Sequence, residues 1–339
     1  DNDTCRGYLI GDPPGDEGLG QGLAQMFQMM NGKRLECGTT SAGVAANEYW
    51  NAATYCRERI QGRPIADPKQ GRVPLINHED VKRMLLVNKA TTEVIRSLVM
   101  KAYLYMDIAE NDPDAERRRW ADGRLQSLTP LCKAYSSDEA WKLIEESIQA
   151  YGGYGYTEEY PAARAVRDTK INSIYEGTNY IQSMDLITRK WMLHKGQAFA
   201  GLLEDIDRFI TEQKSNWPEL EPEFTALARA LDDYRAIQSQ VAGWFGRGQL
   251  GMVASFARRI LTASGQLIGA HCLLEQAVIA AGHLKQINTE HHDYNFYLGK
   301  TISARFFIHQ VLPNVGQVRY LVTAGDDTLV NCPAEIFGY

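Results

Sequence analysis

Six cysteines in 339 residues, none in a CxxC pair, provide no disulfide framework and no thiolate metal knuckle. Cys5, Cys37, Cys56, Cys132, Cys272 and Cys332 lie far apart, which predicts reduced thiols, most of them in the core. HxxxH and HExxH spacings are absent too, so His271, His283, His291, His292 and His309 read as structural or solvent-facing and no metal site is expected. Positive charge is in deficit. With 36 Lys and Arg against 42 Asp and Glu, the net charge is −6, which argues against broad attraction to nucleic acid or an anionic membrane. The one basic run, Arg117-Arg118-Arg119, reads as a solvated loop or helix start, with a phosphate contact as the alternative. Long apolar runs are scarce: the stretch from Leu267 to Ala281 contains His271 and Glu275 and is too short to span a bilayer. No segment has the order of a signal peptide, and a cytoplasmic protein is expected. There is no internal repeat and no low-complexity tract. Gly153-Tyr154-Gly155 lacks the third glycine of a dinucleotide fingerprint and follows a helix rather than a strand, which excludes a Rossmann reading.

What is present is helical periodicity. At 44% hydrophobic and 23% charged, the chain can bury one large core or two moderate ones. Residues 1–18 are rich in Gly, Pro and Asp, with Gly7 to Gly11 as a possible terminal strand, and read as the tail of a preceding domain. From Gly18 to Glu58, Leu19, Leu23, Met26, Phe27, Met30 and Leu35 recur at helical spacing. Three prolines make residues 62–77 a loop, and a second helix is predicted from an Asn77 N-cap to just before Pro113. Its stripe includes Val81, Met84, Leu85, Ile95, Leu98 and Ala102. A third helix is predicted from Leu125 to Tyr151 and a fourth from Asn179 to Leu193. Together these give an all-α, up-down four-helix bundle over residues 19–196. Beyond Lys195, patterns at Phe224–Ile237, Leu250–Leu284 and Tyr294–Val311 predict an additional helical domain over residues 197–339.

The densest chemistry lies between Gln149 and Arg189. Gly152, Gly153, Gly155 and Gly177 permit close backbone approach or a left-handed turn. Glu176 follows Ile174 and Tyr175, which should partly exclude water, and a carboxylate so placed is a candidate base. The residues alone leave open that Glu176 merely favours a helix N-terminus.

The motifs Gly152-Gly153-Tyr154-Gly155-Tyr156, Glu159-Tyr160-Pro161, Arg167-Asp168, Ile174-Tyr175-Glu176-Gly177-Thr178 and Ile181-Gln182 resemble, in order and spacing, the C-terminal region of the flavin-dependent acyl-CoA dehydrogenases. Met29-Met30-Asn31-Gly32-Lys33-Arg34 and Arg57 to Arg63 extend the resemblance to about residues 5–195. The extension resembles that of larger members such as the methylmercaptopropionyl-CoA dehydrogenases. The resemblance implies α,β-dehydrogenation of an acyl-CoA thioester, with FAD as cofactor and Glu176 as the base that removes the α-proton. Burial against Tyr175 and substrate should raise the Glu176 pKa, while the following helix N-terminus opposes that shift. The alternative base position of some relatives is Lys33 here. Arg59, Gln61 and Glu79 correspond to FAD contacts, Arg59 reaching the pyrophosphate across a subunit interface. Gln149, Gly152 and Gly153 match a segment the partner subunit presents to the cofactor, Thr178 a contact to its adenosine diphosphate part, and Tyr180 stands where Glu or Gln is common. Asn31, Arg34, Tyr175 and Gly177 fall near the CoA and acyl chain. The resemblance further implies a homodimer or homotetramer and an electron-transfer flavoprotein as acceptor. A non-catalytic family member, or a helical oligomerisation or partner-binding domain, is the alternative.

Overall fold

A computed structural model of the chain describes residues 4–9, 11–16, 18 and 20–338, with backbone only at residues 23, 24, 27, 28 and 68. The expected strand at Gly7 to Gly11 does not form at Gly7–Leu9 or Gly11, and Ile10 lies outside the described residues, as do Leu19 and the side chains of Leu23 and Phe27. The first helix, α1, spans Gly22–Glu58. Residues 62–77 form the predicted loop, closed by a bridge between Ile60 and Pro74. Helix α2 spans Glu79–Asn111 and is entered through His78 rather than Asn77. The imidazole does not cap the helix: its Nε2 lies 2.8 Å from the Gln61 carbonyl and ties the loop to the helix start.

The third helix begins ten residues earlier than its apolar pattern predicts. Helix α3 spans Ala115–Pro130, opened by the Asp114 carboxylate accepting from the Glu116 N–H, with Arg118 Nη1 donating to the Asp112 carbonyl at 2.7 Å. Of the two solvated forms open to the basic run, loop or helix start, it takes the helix start. Its first turns bury small residues, Ala121 and Gly123, which carry little periodic signal. Pro130 has no N–H to give the preceding turn, and the chain passes through a π turn, Leu131–Tyr135, before resuming as α4, Ser136–Tyr151. A short turn, α5 (Gly153–Tyr156), and α6 (Ala162–Lys170) follow, then α7, Asn179–Thr188, which ends sooner than Leu193.

Side-chain bonds fix the helix directions. Thr39 meets Tyr103 while Ala52 and Ala53 cluster with Met84 and Leu85, so α1 opposes α2; Cys132 bonds the Leu98 carbonyl while Ser147 reaches Asn88, so α2 opposes the α3–α4 rod. Lys133 meets Asn179 and Lys190 meets Gln126, so α7 opposes the rod in turn. This is the predicted up-down bundle.

The remainder is helical, with α9 (Glu221–Gly246), α10 (Leu250–Leu284) and α11 (Tyr294–Gln310) on the three predicted patterns, and α8 (Gln197–Gln213), α12 (Asn314–Ala324) and α13 (Thr328–Asn331) beyond them. Helix α10 is long and apolar enough to cross a membrane by length and composition, longer than the apolar stretch suggests, yet 61% of that window is buried in the fold. It lies against the bundle at glycines. A Cβ on Gly265 would stand 2.4 Å from the Tyr135 ring. One contiguous apolar cluster therefore runs from Leu35, Val94, Leu98 and Leu131 to Ile260, Leu267, Phe307 and Val322. Four of the six cysteines are buried, and all six are free thiols.

Candidate functional site

Between α6 and α7 the chain turns at residues 174–178. Glu176 takes φ 58° and Gly177 φ 87°, so a non-glycine residue is held left-handed, at a cost of about 1–3 kcal/mol that the surroundings must offset. They do so from one face of α1. Arg34 Nε donates to the Glu176 carbonyl at 3.4 Å, and its Nη1 to Asn31 Oδ1 at 3.3 Å. One turn further on, Cys37 Sγ donates to the Asn172 carbonyl at 3.2 Å. Asn172 Nδ2 in turn donates to Ser41 Oγ at 3.2 Å, and Tyr175 Oη donates to Asn172 Oδ1 at 2.9 Å. Residues 34, 37 and 41 recur at helical spacing, so α1 presents them to the turn together. Gly177 is confined as well as left-handed, since a Cβ there would lie 3.1 Å from Gln182 Nε2. Thr178 caps α7 by accepting from the Ile181 N–H.

The Glu176 side chain is half-buried, and its carboxylate has no hydrogen bond or ion pair among the described residues. Its backbone N–H likewise has no acceptor among them. Ile174 and Tyr175, expected to shield it, are themselves 53% and 40% exposed, so this chain does not close the site over Glu176. Arg34 is buried, not a solvated helix charge: burial pulls its pKa down, with Asp185 opposing. Burial pushes the Cys37 thiol up to about 11, so it is a neutral donor here. Clefts of 320 to 630 Å³ lie elsewhere among the described residues, and Glu176 does not line these.

A second group of sequence-predicted residues assembles at the other end of α1. Arg59 is exposed just past the helix, its guanidinium 5.6 Å over the Tyr154 ring. Gln61 and Glu79 are exposed beside it, the former on the loop closed by His78, the latter opening α2. Exposed Gln149 on the last turn of α4, Gly152 (φ 65°), which ends it, and Gly153, which opens α5, lie beside the packed rings of Tyr55, Tyr151 and Tyr160. Twenty-five residues of helix separate Arg34 from Arg59, about 37 Å. The chain thus brings Asn31, Arg34, Tyr175, Glu176, Gly177 and Thr178 together at one place and Arg59, Gln61, Glu79, Gln149, Gly152 and Gly153 at another. Tyr180 is 43% exposed on the first turn of α7, on the side of the Glu176 group.

Sequence reasoning missed the support beneath the Glu176 turn: Cys37, Ser41, Asn172 and, deeper, Lys133 and Asn179. Lys133 left one signal, a charge in the apolar run Leu131-Cys132-Lys133-Ala134-Tyr135. Among the histidines, His291 and His292 place ring nitrogens within 4.8 Å of each other and of an Asp293 oxygen, but on an exposed turn of consecutive residues.

Comparison with known proteins places this geometry. Residues 20–191 match the family described as acyl-CoA dehydrogenase, C-terminal domain, and residues 202–333 the one described as acetyl-CoA dehydrogenase C-terminal like. A butyryl-CoA dehydrogenase of Syntrophomonas wolfei is 39% identical over 99% of this chain and 54% of its own length. The chain thus spans about half the length of that curated relative. Among solved structures, Caenorhabditis elegans ACDH-11 in complex with C11-CoA aligns with a TM-score of 0.72 at 19% identity, over 94% of this chain and 50% of that one. An acyl-CoA dehydrogenase complexed with FAD from Bacillus anthracis aligns with a TM-score of 0.62 at 17% identity, over 92% and 54%. From its N-terminal helix through the extension, the chain belongs to the acyl-CoA dehydrogenase family.

Proposed function

We propose that the whole protein carries out FAD-dependent α,β-dehydrogenation of an acyl-CoA thioester, with Glu176 as the base. The observation that carries this reading is the Glu176 carboxylate, half-buried, unpaired and held in a strained turn. Strain at a polar residue with no structural bond of its own is a mark of function. Glu176 takes the α-proton, whose bonding pair becomes the new double bond. Bound FAD would supply the acceptor for the hydrogen leaving the β-carbon as hydride. The unused Glu176 N–H is free to donate to the thioester oxygen, acidifying the α-carbon. A positioned base of this kind contributes roughly 10²–10⁴ in rate.

The residues present fit a flavin. Arg59 offers a cation to the pyrophosphate, and Gly152 and Gly153 offer bare backbone, since a Cβ at either would touch nothing within 4 Å. Gln61, Glu79 and Gln149 would add polar contacts there, and Thr178 and Tyr180 would do so from the Glu176 side. About 37 Å between the two groups is more than one cofactor placed at Glu176 has to bridge within a chain. Two copies arranged head to tail would bring Arg59 of one to Glu176 of the other, which supports a homodimer, or a homotetramer built from it. An electron-transfer flavoprotein is the acceptor this reading implies. Asn31, Arg34, Tyr175 and Gly177 would line the CoA and acyl side.

The test is anaerobic flavin bleaching by acyl-CoAs in the FAD-loaded whole protein. Glu176→Gln should retain FAD and bleach about 10²- to 10⁴-fold more slowly. Undiminished bleaching by this variant refutes the base. FAD-loaded wild type that no acyl-CoA bleaches refutes the activity, and a dimer that never retains FAD points to a helical oligomerisation domain.

A further inference from the structure

Among the described residues Lys133 is the one lysine with no solvent exposure, and it lies in the π turn that divides the α3–α4 rod. Its ammonium donates to Asn179 Oδ1 at 2.7 Å. Asn179 is the first residue of α7, three beyond Glu176. Its Nδ2 faces the Asp138 carboxylate at 2.7 Å, Ser137 Oγ at 2.9 Å and the Ala134 carbonyl at 3.2 Å, all on the rod. The second Asp138 oxygen accepts from Arg258 Nη2, on α10 of the extension, in an ion pair. A relay of four side chains thus runs from the π turn through the start of α7 to the extension.

Burying an ammonium is costly, and apolar packing at this position would have served the bundle better. Nor does the fold need a cation here to hold α7, which is fixed further along by buried Leu186 and Ile187 and by Lys190 on Gln126. What the bond to Asn179 does hold is the end of the turn. The turn is pinned from α1 on its upstream side, through Asn172, Tyr175 and the Glu176 carbonyl, and downstream the buried charge bonded to its end among the described residues is Lys133. A left-handed Glu176 relaxes if either end slips.

We infer that Lys133, through Asn179, is a positioning residue for Glu176, and that Asp138 and Arg258 make the C-terminal extension part of the support of the active-site turn. The functional consequence rests on Glu176 being the base; the latch does not. The groups facing the Lys133 ammonium are Cys37 and Arg34 from α1, Asp138 from α4 and Arg258 from α10; burial, aided by the two arginines and opposed by Cys37 and Asp138, lowers its pKa to about 8. The extension thereby has a task in the reaction besides covering apolar surface.

Amide hydrogen exchange in the FAD-loaded whole protein tests this directly. In Lys133→Met, exchange at residues 174–178 should speed up by about tenfold or more, with α2 and the centre of α10 unchanged. Arg258→Met, at a half-exposed side chain that cannot upset the core, should give a smaller rise at the same five residues and keep the variant set usable if Lys133→Met folds poorly. Unchanged exchange at 174–178 in both variants overturns the latch, and so does acceleration spread evenly over α2 and α10, which would make Lys133 a support of the bundle alone. Flavin bleaching separates the two readings: a Lys133→Met, Asn179→Ala double variant should bleach no more slowly than the worse single one, because both act through one bond. A loosened turn with wild-type bleaching leaves the latch standing and overturns its consequence for catalysis, whereas Glu176→Gln tests the base itself.

Discussion

The seating of the extension on the bundle can be tested at a single methyl group. Gly265 lies in the middle of α10, where alanine would ordinarily be favoured by about 0.8–1.0 kcal/mol. A Cβ there would stand 2.4, 2.5 and 2.9 Å from three atoms of the Tyr135 ring, against the roughly 3.5–4.0 Å of a relaxed carbon contact. Tyr135 is fully buried on the π turn and cannot swing aside, so α10 must lift by about 1 Å or the turn must deform. Overpacking of this kind costs about 1–3 kcal/mol, and a rigid ring met face-on belongs at the upper end. Subtracting the propensity gain leaves Gly265→Ala destabilised by about 2 kcal/mol. Gly43 is the control. It too lies within a long helix, but is exposed, with nothing within 4 Å of the added carbon, so Gly43→Ala should be stabilised by about 0.5–1 kcal/mol. Urea unfolding followed by circular dichroism measures both. If Gly265→Ala gains stability as Gly43→Ala does, α10 does not press on the π turn, and the contiguous core described above is wrong at its central contact.

Two further outcomes follow from the charges. Arg59→Ala should cost no more than about 0.5–1 kcal/mol of stability, the worth of its exposed cation–π pair with Tyr154, and should weaken FAD retention in the whole protein by about tenfold or more, the loss of a charged hydrogen bond; equilibrium dialysis reads this, and unchanged retention removes Arg59 from the cofactor site. Lys133 sets a pH dependence. Its pKa of about 8 in the folded chain lies below the roughly 10.4 of an unfolded lysine. Between those values the unfolded chain binds more protons, so this residue's burden on stability is full below pH 8 and fades as pH rises. Urea unfolding at pH 7 and pH 10 should therefore show wild type gaining on Lys133→Met by about 2–3 kcal/mol, and a constant difference would show that Lys133 titrates normally.

Periodicity sufficed for the long helices because their burial is one-sided, and it faltered where burial is achieved by small residues or by polar ones. Helix α3 starts at Ala115, but Ala121, Gly123 and Arg124 fill its inner face, and no apolar count registers them. Helix α8 went unread although Phe199, Leu202, Leu203, Ile206 and Ile210 recur at helical spacing, because the prolines that follow drew the pattern's start to Phe224. At the site, the motif around Glu176 was legible as a string of residue types, whereas its left-handed backbone was not, since that conformation depends on Arg34, Cys37 and Ser41 from a helix more than 130 residues away. The π turn was hidden in the same way. Leu131 to Tyr135 reads as plain helix, yet Pro130 upstream leaves the preceding turn short of a donor, and the extra residue that results turns Lys133 inward. A charged side chain in an apolar run is thus the point at which sequence reasoning could have gone further, for burying it is unfavourable unless something specific needs holding, and here that something is the residue that opens α7.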